Sequence, residues 1–390
     1  MTVLSLPGNT APAVDYRQLV AEYGAPLLVL DGDALRIQYR ALRAALPRVE
    51  LHYAIKALPH PAALAVLDQM GASFDIATRG EIDMLRDLSM DPRRTIHTHP
   101  IKKDSEIRAA LRFGCTTFVV DNPDELQKFS RYRHRVGLLL RVGIRSKDAV
   151  VDLSRKFGCT PEEAPVLLAQ ARQLGIHVKG LSFHVGSQSG SAEGHCRAIR
   201  ICAEIIRESR AQGIAKLTVL DIGGGFPVSY DAVVPDIDAF CAPIREALAE
   251  LPGNIRLLAE PGRFLAAPAI TAIASVVGRA WRDGRRWYYL DDGVYGAFSG
   301  QIYDHTHYPL NTLPAEGELQ PSVLAGPTCD SIDVIAEDIQ LPELAIGDLV
   351  IGRMMGAYTW ASASEFNSLP IPRVLVVNGP VVKPTLVRVA

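Results

Sequence analysis

Residues 51–99 read LHYAIKALPHPAALAVLDQMGASFDIATRGEIDMLRDLSMDPRRTIHTH. Three short apolar runs, Leu51–Ile55, Ser73–Ala77 and Thr95–His99, alternate with Pro61–Met70 and Arg79–Leu88, where apolar residues recur three or four apart. The first pattern predicts strands and the second predicts helices. The alternation continues through strand runs at Thr116–Val120, Val136–Val142, Gly180–Val185, Leu217–Ile222 and Arg256–Glu260, with helical intervals such as Asp104–Phe113 and Gly194–Gln212. Strands joined by crossover helices lie parallel, and eight such units closing on themselves predict an α/β chain with a TIM-type (β/α)8 barrel. A doubly wound open sheet is the alternative, but no G-x-G-x-x-G opens any of these helices.

Beyond Arg263 the pattern changes. SVVGRAW, RRWYYLDDG, PSVLAG, GDLVIG, PRVLVVNG and TLVRVA are strand-like pieces punctuated by Gly, Pro and Asp. They predict a mostly-β second domain, and the early run Pro26–Leu30 is assigned to it because it precedes the eight barrel strands. The expected division is a barrel over 31–263 and a β domain from 1–30 and 264–390.

Composition limits the function classes. The 390 residues are 48% hydrophobic and 22% charged, as in an ordinary globular protein, and 41 basic against 43 acidic side chains leave a net charge of −2. That balance gives no electrostatic case for nucleic acid or an anionic membrane as partner. The longest near-apolar run, Leu265 to Val277, is broken by Pro268, Thr271 and Ser275 and falls short of the roughly 20 residues of a membrane span. Six scattered cysteines make no C-x-x-C pair, so neither a metal site nor a disulfide framework is expected. The first basic residue is Arg17, which does not match a secretory signal, and a cytoplasmic location is expected.

In such a barrel the C-terminal ends of the strands carry the chemistry. Here they end in YAIK (Lys56), FDIA (Asp75), HVGSQ (His184, Ser187), DIGGGFP (Asp221–Pro227) and EPGR (Glu260–Arg263). Lys56 follows a buried run, where desolvation is expected to lower its pKa and suit it to imine formation. Gly223, Gly224 and Gly225 let backbone N–H groups approach an anion at the place where barrels bind phosphate. Glu260 can hold a proton on a heterocyclic nitrogen, and His184 offers a flat face to a ring. Singly, each has a plainer reading: a snorkelling lysine, a tight turn, an ion-paired carboxylate, a core histidine. Together they describe a site for pyridoxal phosphate, an electron sink for carbanion chemistry.

These residues resemble the fold type III pyridoxal phosphate decarboxylases, which share the alanine racemase-like barrel. The resemblance runs through YAIK, FDIATRGE (Phe74–Glu81), HVGSQ, DIGGGFP, EPGRF, DDGVYGAF (Asp291–Phe298), YDH (Tyr303–His305), GPTCDSID (Gly326–Asp333), GAYT (Gly356–Thr359) and FN (Phe366–Asn367). Within that family GPTCDSID looks like the ornithine decarboxylase version, where diaminopimelate enzymes carry CES. The resemblance implies decarboxylation of L-ornithine to putrescine, with L-lysine to cadaverine as a further or alternative activity, in a head-to-tail homodimer.

By the same resemblance Lys56 binds the cofactor, His184 stacks on its ring, and Glu260 meets its nitrogen. Ser187, Gly223–Gly225, Gly262, Arg263 and Tyr358 hold the phosphate, Asp75 and Glu81 support the lysine and ring, and Arg141 lies beneath. Cys329 is the proton donor. Asp304 and Asp330 face the distal ammonium, with Tyr295, Tyr303 and Phe366 on the substrate side, and Cys329 and Asp330 reach the neighbouring subunit's site. ALPHP after Lys56 and the short C-terminus depart from animal relatives and match shorter bacterial ones. A diaminopimelate enzyme, a racemase and a catalytically inactive relative of the antizyme-inhibitor type are the competing readings. The last is disfavoured because Lys56, His184, Glu260, Cys329 and Asp330 are all present.

Overall fold

The computed structural model describes residues 14–144, 149–151, 155–314 and 316–380. Val49–Ala54, Ser73–Ile76, Thr95–His97, Thr117–Val120, Gly137–Val142, Val178–Phe183, Val219–Asp221 and Arg256–Ala259 form a closed eight-stranded barrel. Every neighbouring pair is parallel, and Leu257 opposite Val49 closes the circle. The eight expected runs are therefore the eight barrel strands. Their near-continuous apolarity follows from burial on both faces, by side chains inside and helices outside.

Local sequence sets where the helices begin. Pro61 opens Pro61–Gln69, with the His60 ring accepting from Ala62 N–H. Thr78 and Glu81 form a reciprocal capping box at the start of Arg79–Asp87. Gly114, at φ +112°, terminates Asp104–Phe113 in a left-handed conformation that disfavours side chains. The 19-residue helix Glu193–Ala211 then crosses from the sixth to the seventh strand.

The second layer is an eight-stranded sheet. Leu310–Leu313, Leu349–Gly352, Ile270–Arg282, Arg285–Leu290, Gln320–Ala325 and Val334–Leu341 follow one another across it. Leu27–Asp31 lies between Ile270–Arg282, antiparallel to it, and Arg373–Val377, parallel to it. Five of the six strand-like pieces beyond Arg263 fall on strands, while TLVRVA lies outside the described residues. Leu310–Leu313 and Val334–Leu341 were not anticipated; both are partly exposed, and their apolar residues form no continuous run. A further small ladder, Ala149–Val151 with Ser187–Ser189, sits at the barrel rim.

The sheet reaches the barrel mouth through Tyr358. Its N–H donates to the Ala57 carbonyl at 2.9 Å, tying the GAYT segment to the turn after the first barrel strand.

Candidate active site

The barrel mouth encloses a cavity of about 310 Å³ whose lining includes Lys56, Arg141, His184, Ser187, Glu260, Arg263, Asp304 and Tyr358. Lys56 sits in the turn Ile55–Ala57, directly after the first strand. Its Nζ lies 2.7 Å from Oδ2 of Asp75, and the Thr98 hydroxyl donates to the other oxygen of that carboxylate. The expected depression of the lysine pKa is not what the site produces. Burial pulls the ammonium down, but Asp75 and Glu260 together outweigh it and hold Lys56 above its ordinary value. The apolar neighbours in the strand are thus outweighed by two carboxylates that come from other strands.

Glu260 directly follows the eighth strand and is buried beside Asp221. Burial and the neighbouring charges of Asp221 and Asp75 raise its pKa well above the usual carboxylate range, with Lys56 and Arg141 pulling the other way. Burial likewise pushes Asp221 up to about 6. A carboxyl that resists ionisation here is suited to sharing a proton with a basic ring nitrogen. His184 is held neutral by burial and by the charges of Arg141 and Lys56. Its Nδ1 accepts from the Gly186 N–H at 3.0 Å, which leaves the ring proton on Nε2.

The glycine run folds tightly under the rim. Gly223 and Gly225 have φ of +67° and +95°. A Cβ on Gly224 would come 2.7 Å from the Glu260 carbonyl oxygen, and one on Gly225 would come 2.6 Å from that of Gly186. A side chain at either position would thus clash with the backbone. Opposite, Arg263 donates from Nε to Ser187 Oγ at 3.1 Å and from Nη1 to Tyr230 Oη at 3.0 Å, and packs 5.0 Å from the Tyr358 ring centroid. A cation, a hydroxyl and an unobstructed backbone loop therefore share one end of the cavity, as a phosphate monoester requires. The lysine, the proton-holding carboxyl and the flat imidazole occupy the rest, so the residues present fit pyridoxal phosphate.

Not every expected residue arrives there. Asp304 lines the cavity but is engaged by Arg263, so the residue expected on the distal ammonium and the one expected on the phosphate form an ion pair. Glu81 does not line the cavity; its carboxylate accepts the Ala77 and Thr78 N–H groups as a helix cap. Tyr295, Cys329, Asp330 and Phe366 gather elsewhere. Tyr295 Oη donates to Asp330 Oδ2 at 2.5 Å, its ring stacks on Phe366 at 4.3 Å, and Cys329 Sγ lies 3.4 Å from Asn367 Oδ1. Cys329 is exposed whereas the other five cysteines are buried, and Tyr303 is also exposed.

Residues not expected at the site also line the cavity, among them Thr98, His99 and Phe157. The TIHTH end of the third strand could have pointed to the first two, since it occupies the same rim as YAIK and FDIA. Phe157, beneath which the Arg141 guanidinium packs at 5.6 Å, comes from an irregular loop with no strand-end signal. Among the described residues no three His, Cys, Asp or Glu side chains converge as for a metal ion, and no helix is long and apolar enough to cross a membrane.

A fold and a site of this kind define a cofactor-dependent lyase, and residues 33–267 match the family profile of the pyridoxal-dependent decarboxylase, pyridoxal binding domain. The chain belongs to the pyridoxal-dependent decarboxylases. It is 53% identical to a lysine/ornithine decarboxylase of Vibrio vulnificus, solved with putrescine and with cadaverine, at a TM-score of 0.89 over 93% of this chain and 97% of that one. It is 38% identical over 354 residues to the lysine/ornithine decarboxylase of Selenomonas ruminantium, covering 90% of each.

Proposed function

We propose that this protein decarboxylates L-ornithine to putrescine and carbon dioxide, and L-lysine to cadaverine, in a homodimer whose sites each draw on both subunits. The observation that carries the reading is the division of the expected side chains between two places. Lys56, His184, Glu260 and Arg263 share the barrel cavity, while Tyr295, Cys329, Asp330 and Phe366 form a second cluster on the β domain. Among the described residues the cavity lining contains no thiol, and its two acids are Glu260, turned to the cofactor side, and Asp304, paired with Arg263. Docking a second copy supplies the rest, and an isologous two-fold contact does so twice. The similarity to lysine/ornithine decarboxylases supports the substrate class.

In this reading residues 31–263 provide the cofactor side, and residues 1–30 with 264–390 provide the β domain and dimer surface. Lys56 Nζ is the attachment point, Ser187, Gly223–Gly225, Gly262, Arg263 and Tyr358 hold the phosphate, Glu260 holds a proton toward the ring nitrogen, and neutral His184 covers the ring face. Bound there, pyridoxal phosphate supplies an electron sink for the pair left on Cα when the carboxylate departs. Asp304 of the same chain, together with Asp330 of the partner subunit, binds the distal ammonium. Cys329 of the partner subunit delivers its Sγ proton to Cα, and a reducing cytoplasm keeps that exposed thiol available.

The test is incubation of the protein and pyridoxal phosphate with equimolar L-ornithine, L-lysine and meso-diaminopimelate, with products read by mass spectrometry. Putrescine as the main product, with cadaverine beside it, is expected. Lysine formed from diaminopimelate, or no diamine at all, would overturn the proposal.

A further inference from the structure

His195 occupies the first turn of the helix Glu193–Ala211, below the glycine loop and wholly buried. Its ring stacks on Phe226 at 5.5 Å and meets Phe240 edge-on at 5.9 Å. Nε2 lies 2.9 Å from the Gly224 carbonyl oxygen. A carbonyl only accepts, so Nε2 carries the proton and Nδ1 is bare; among the described residues Nδ1 has no partner. An aromatic pocket therefore holds an imidazole that makes one hydrogen bond and leaves a second polar atom unsatisfied. A phenylalanine would satisfy the pocket better.

What the histidine does for the loop explains its presence. The peptide linking Gly224 and Gly225 has no side chain on either flank to resist rotation of its plane. In a trans peptide the C=O and N–H point in opposite directions. Fixing the Gly224 carbonyl outward on His195 therefore turns the Gly225 N–H the other way. The next peptide is fixed likewise, since the Ser189 N–H donates to the Gly225 carbonyl at 3.0 Å. Both glycines and Phe226 line the cavity. With the two carbonyls held away, their paired N–H groups form a concave donor surface of the kind that binds anions.

We propose that His195 is a positioning residue for the cofactor phosphate: its Nε2–H locks the Gly224–Gly225 peptide in the anion-binding orientation without touching the cofactor. This rests on the reading that the glycine loop holds the phosphate. Removing one neutral hydrogen bond that orients the donors corresponds to about a 3- to 10-fold loss of affinity.

The measurement is the dissociation constant of the cofactor-free protein for pyridoxal phosphate and for pyridoxal, which lacks the phosphate, followed by the visible absorbance of the lysine-bound form. Wild type, His195→Phe and His195→Gln are compared, with thermal unfolding of each cofactor-free protein. In His195→Phe, pyridoxal phosphate affinity should fall about 3- to 10-fold, pyridoxal affinity should stay unchanged, and the cofactor-free protein should unfold no earlier than wild type. In His195→Gln, whose amide N–H can donate to Gly224, part of the lost affinity should return. Unchanged pyridoxal phosphate affinity in His195→Phe, or equal weakening of both ligands, would overturn the role of His195. Equal affinity of the wild type for the two ligands would instead overturn the phosphate reading of the loop, and the proposal with it.

Discussion

Oδ2 of Asp75 stands 2.7 Å from Nζ of Lys56, which lies in the turn just past Ala54, the residue opposite Asp75 across the first two barrel strands. The contact keeps the amine charged, and a charged amine cannot attack a carbonyl. Asp75→Asn removes that hold and should move the pH at which the lysine captures pyridoxal phosphate downward by about 1–3 units. The rate of growth of the lysine-bound chromophore against pH checks this, and an unshifted profile would show that Glu260 alone sets the lysine. Lys56→Ala should give neither chromophore nor diamine.

Cys329 is assigned proton delivery across the subunit boundary. Cys329→Ala should slow diamine release by about 10²–10⁴-fold, the usual contribution of a positioned acid. Bound cofactor should give the same absorbance as in wild type. Turnover at the wild-type rate would remove Cys329 from the mechanism.

In the proposed dimer the cavity and the Cys329 cluster come together only between subunits, so inactive variants should complement one another. Mixing Lys56→Ala with Cys329→Ala and allowing subunits to exchange should restore about a quarter of wild-type activity, since half of the dimers then carry one intact site of two. No recovery despite exchange, followed by native mass spectrometry, would place each site within one chain.

Asp304 is shared between Arg263 and the expected distal ammonium. Asp304→Asn should raise KM for L-ornithine about tenfold or more, the scale of one hydrogen bond to a charged group. It also releases Arg263, so pyridoxal phosphate affinity should hold or improve. A variant that loses cofactor and keeps KM would show that the carboxylate serves Arg263 alone.

Asp292 carries a stability effect with a definite sign. Burial pushes its carboxyl up to about 7, although Ala297 and Gly293 N–H groups donate to it. A folded-state pKa above the unfolded value means that the stability it contributes is complete below about pH 4 and is lost as pH rises toward 7. Asp292→Asn keeps an acceptor and never ionises. Its unfolding free energy, followed through the thermal midpoint, should gain on wild type between about pH 4 and 7, by an amount on the order of 2–4 kcal/mol at the top of that range. A constant gap would show that Asp292 does not titrate there.

The eight barrel strands were legible because burial on both faces writes them as continuous apolar runs, and Lys56, Glu260 and Arg263 because they close those runs. Val334–Leu341 was not, since one side of it meets solvent and its sequence mixes Asp and Glu with Ile. Glu81 had a readable signal that was passed over. Thr78 and Glu81 stand three apart at a helix start, the spacing of a capping box, and that is how the carboxylate is used. The Arg263–Asp304 pair had no local signal, because it joins the turn after the eighth barrel strand to the end of the short helix Gly300–Asp304, far along the chain.

Leu27–Asp31 is flanked by Ile270–Arg282 on one side and Arg373–Val377 on the other, so among the described residues the earliest strand is completed by the latest. The barrel can close around its own strands during synthesis, but this apolar strand meets no hydrogen-bonding partner until Ile270–Arg282 has emerged, and its other edge waits for Arg373–Val377. Throughout that interval its backbone edges are open to strands from other chains. Such exposure of an unpaired strand edge is what favours association between chains over completion of the sheet.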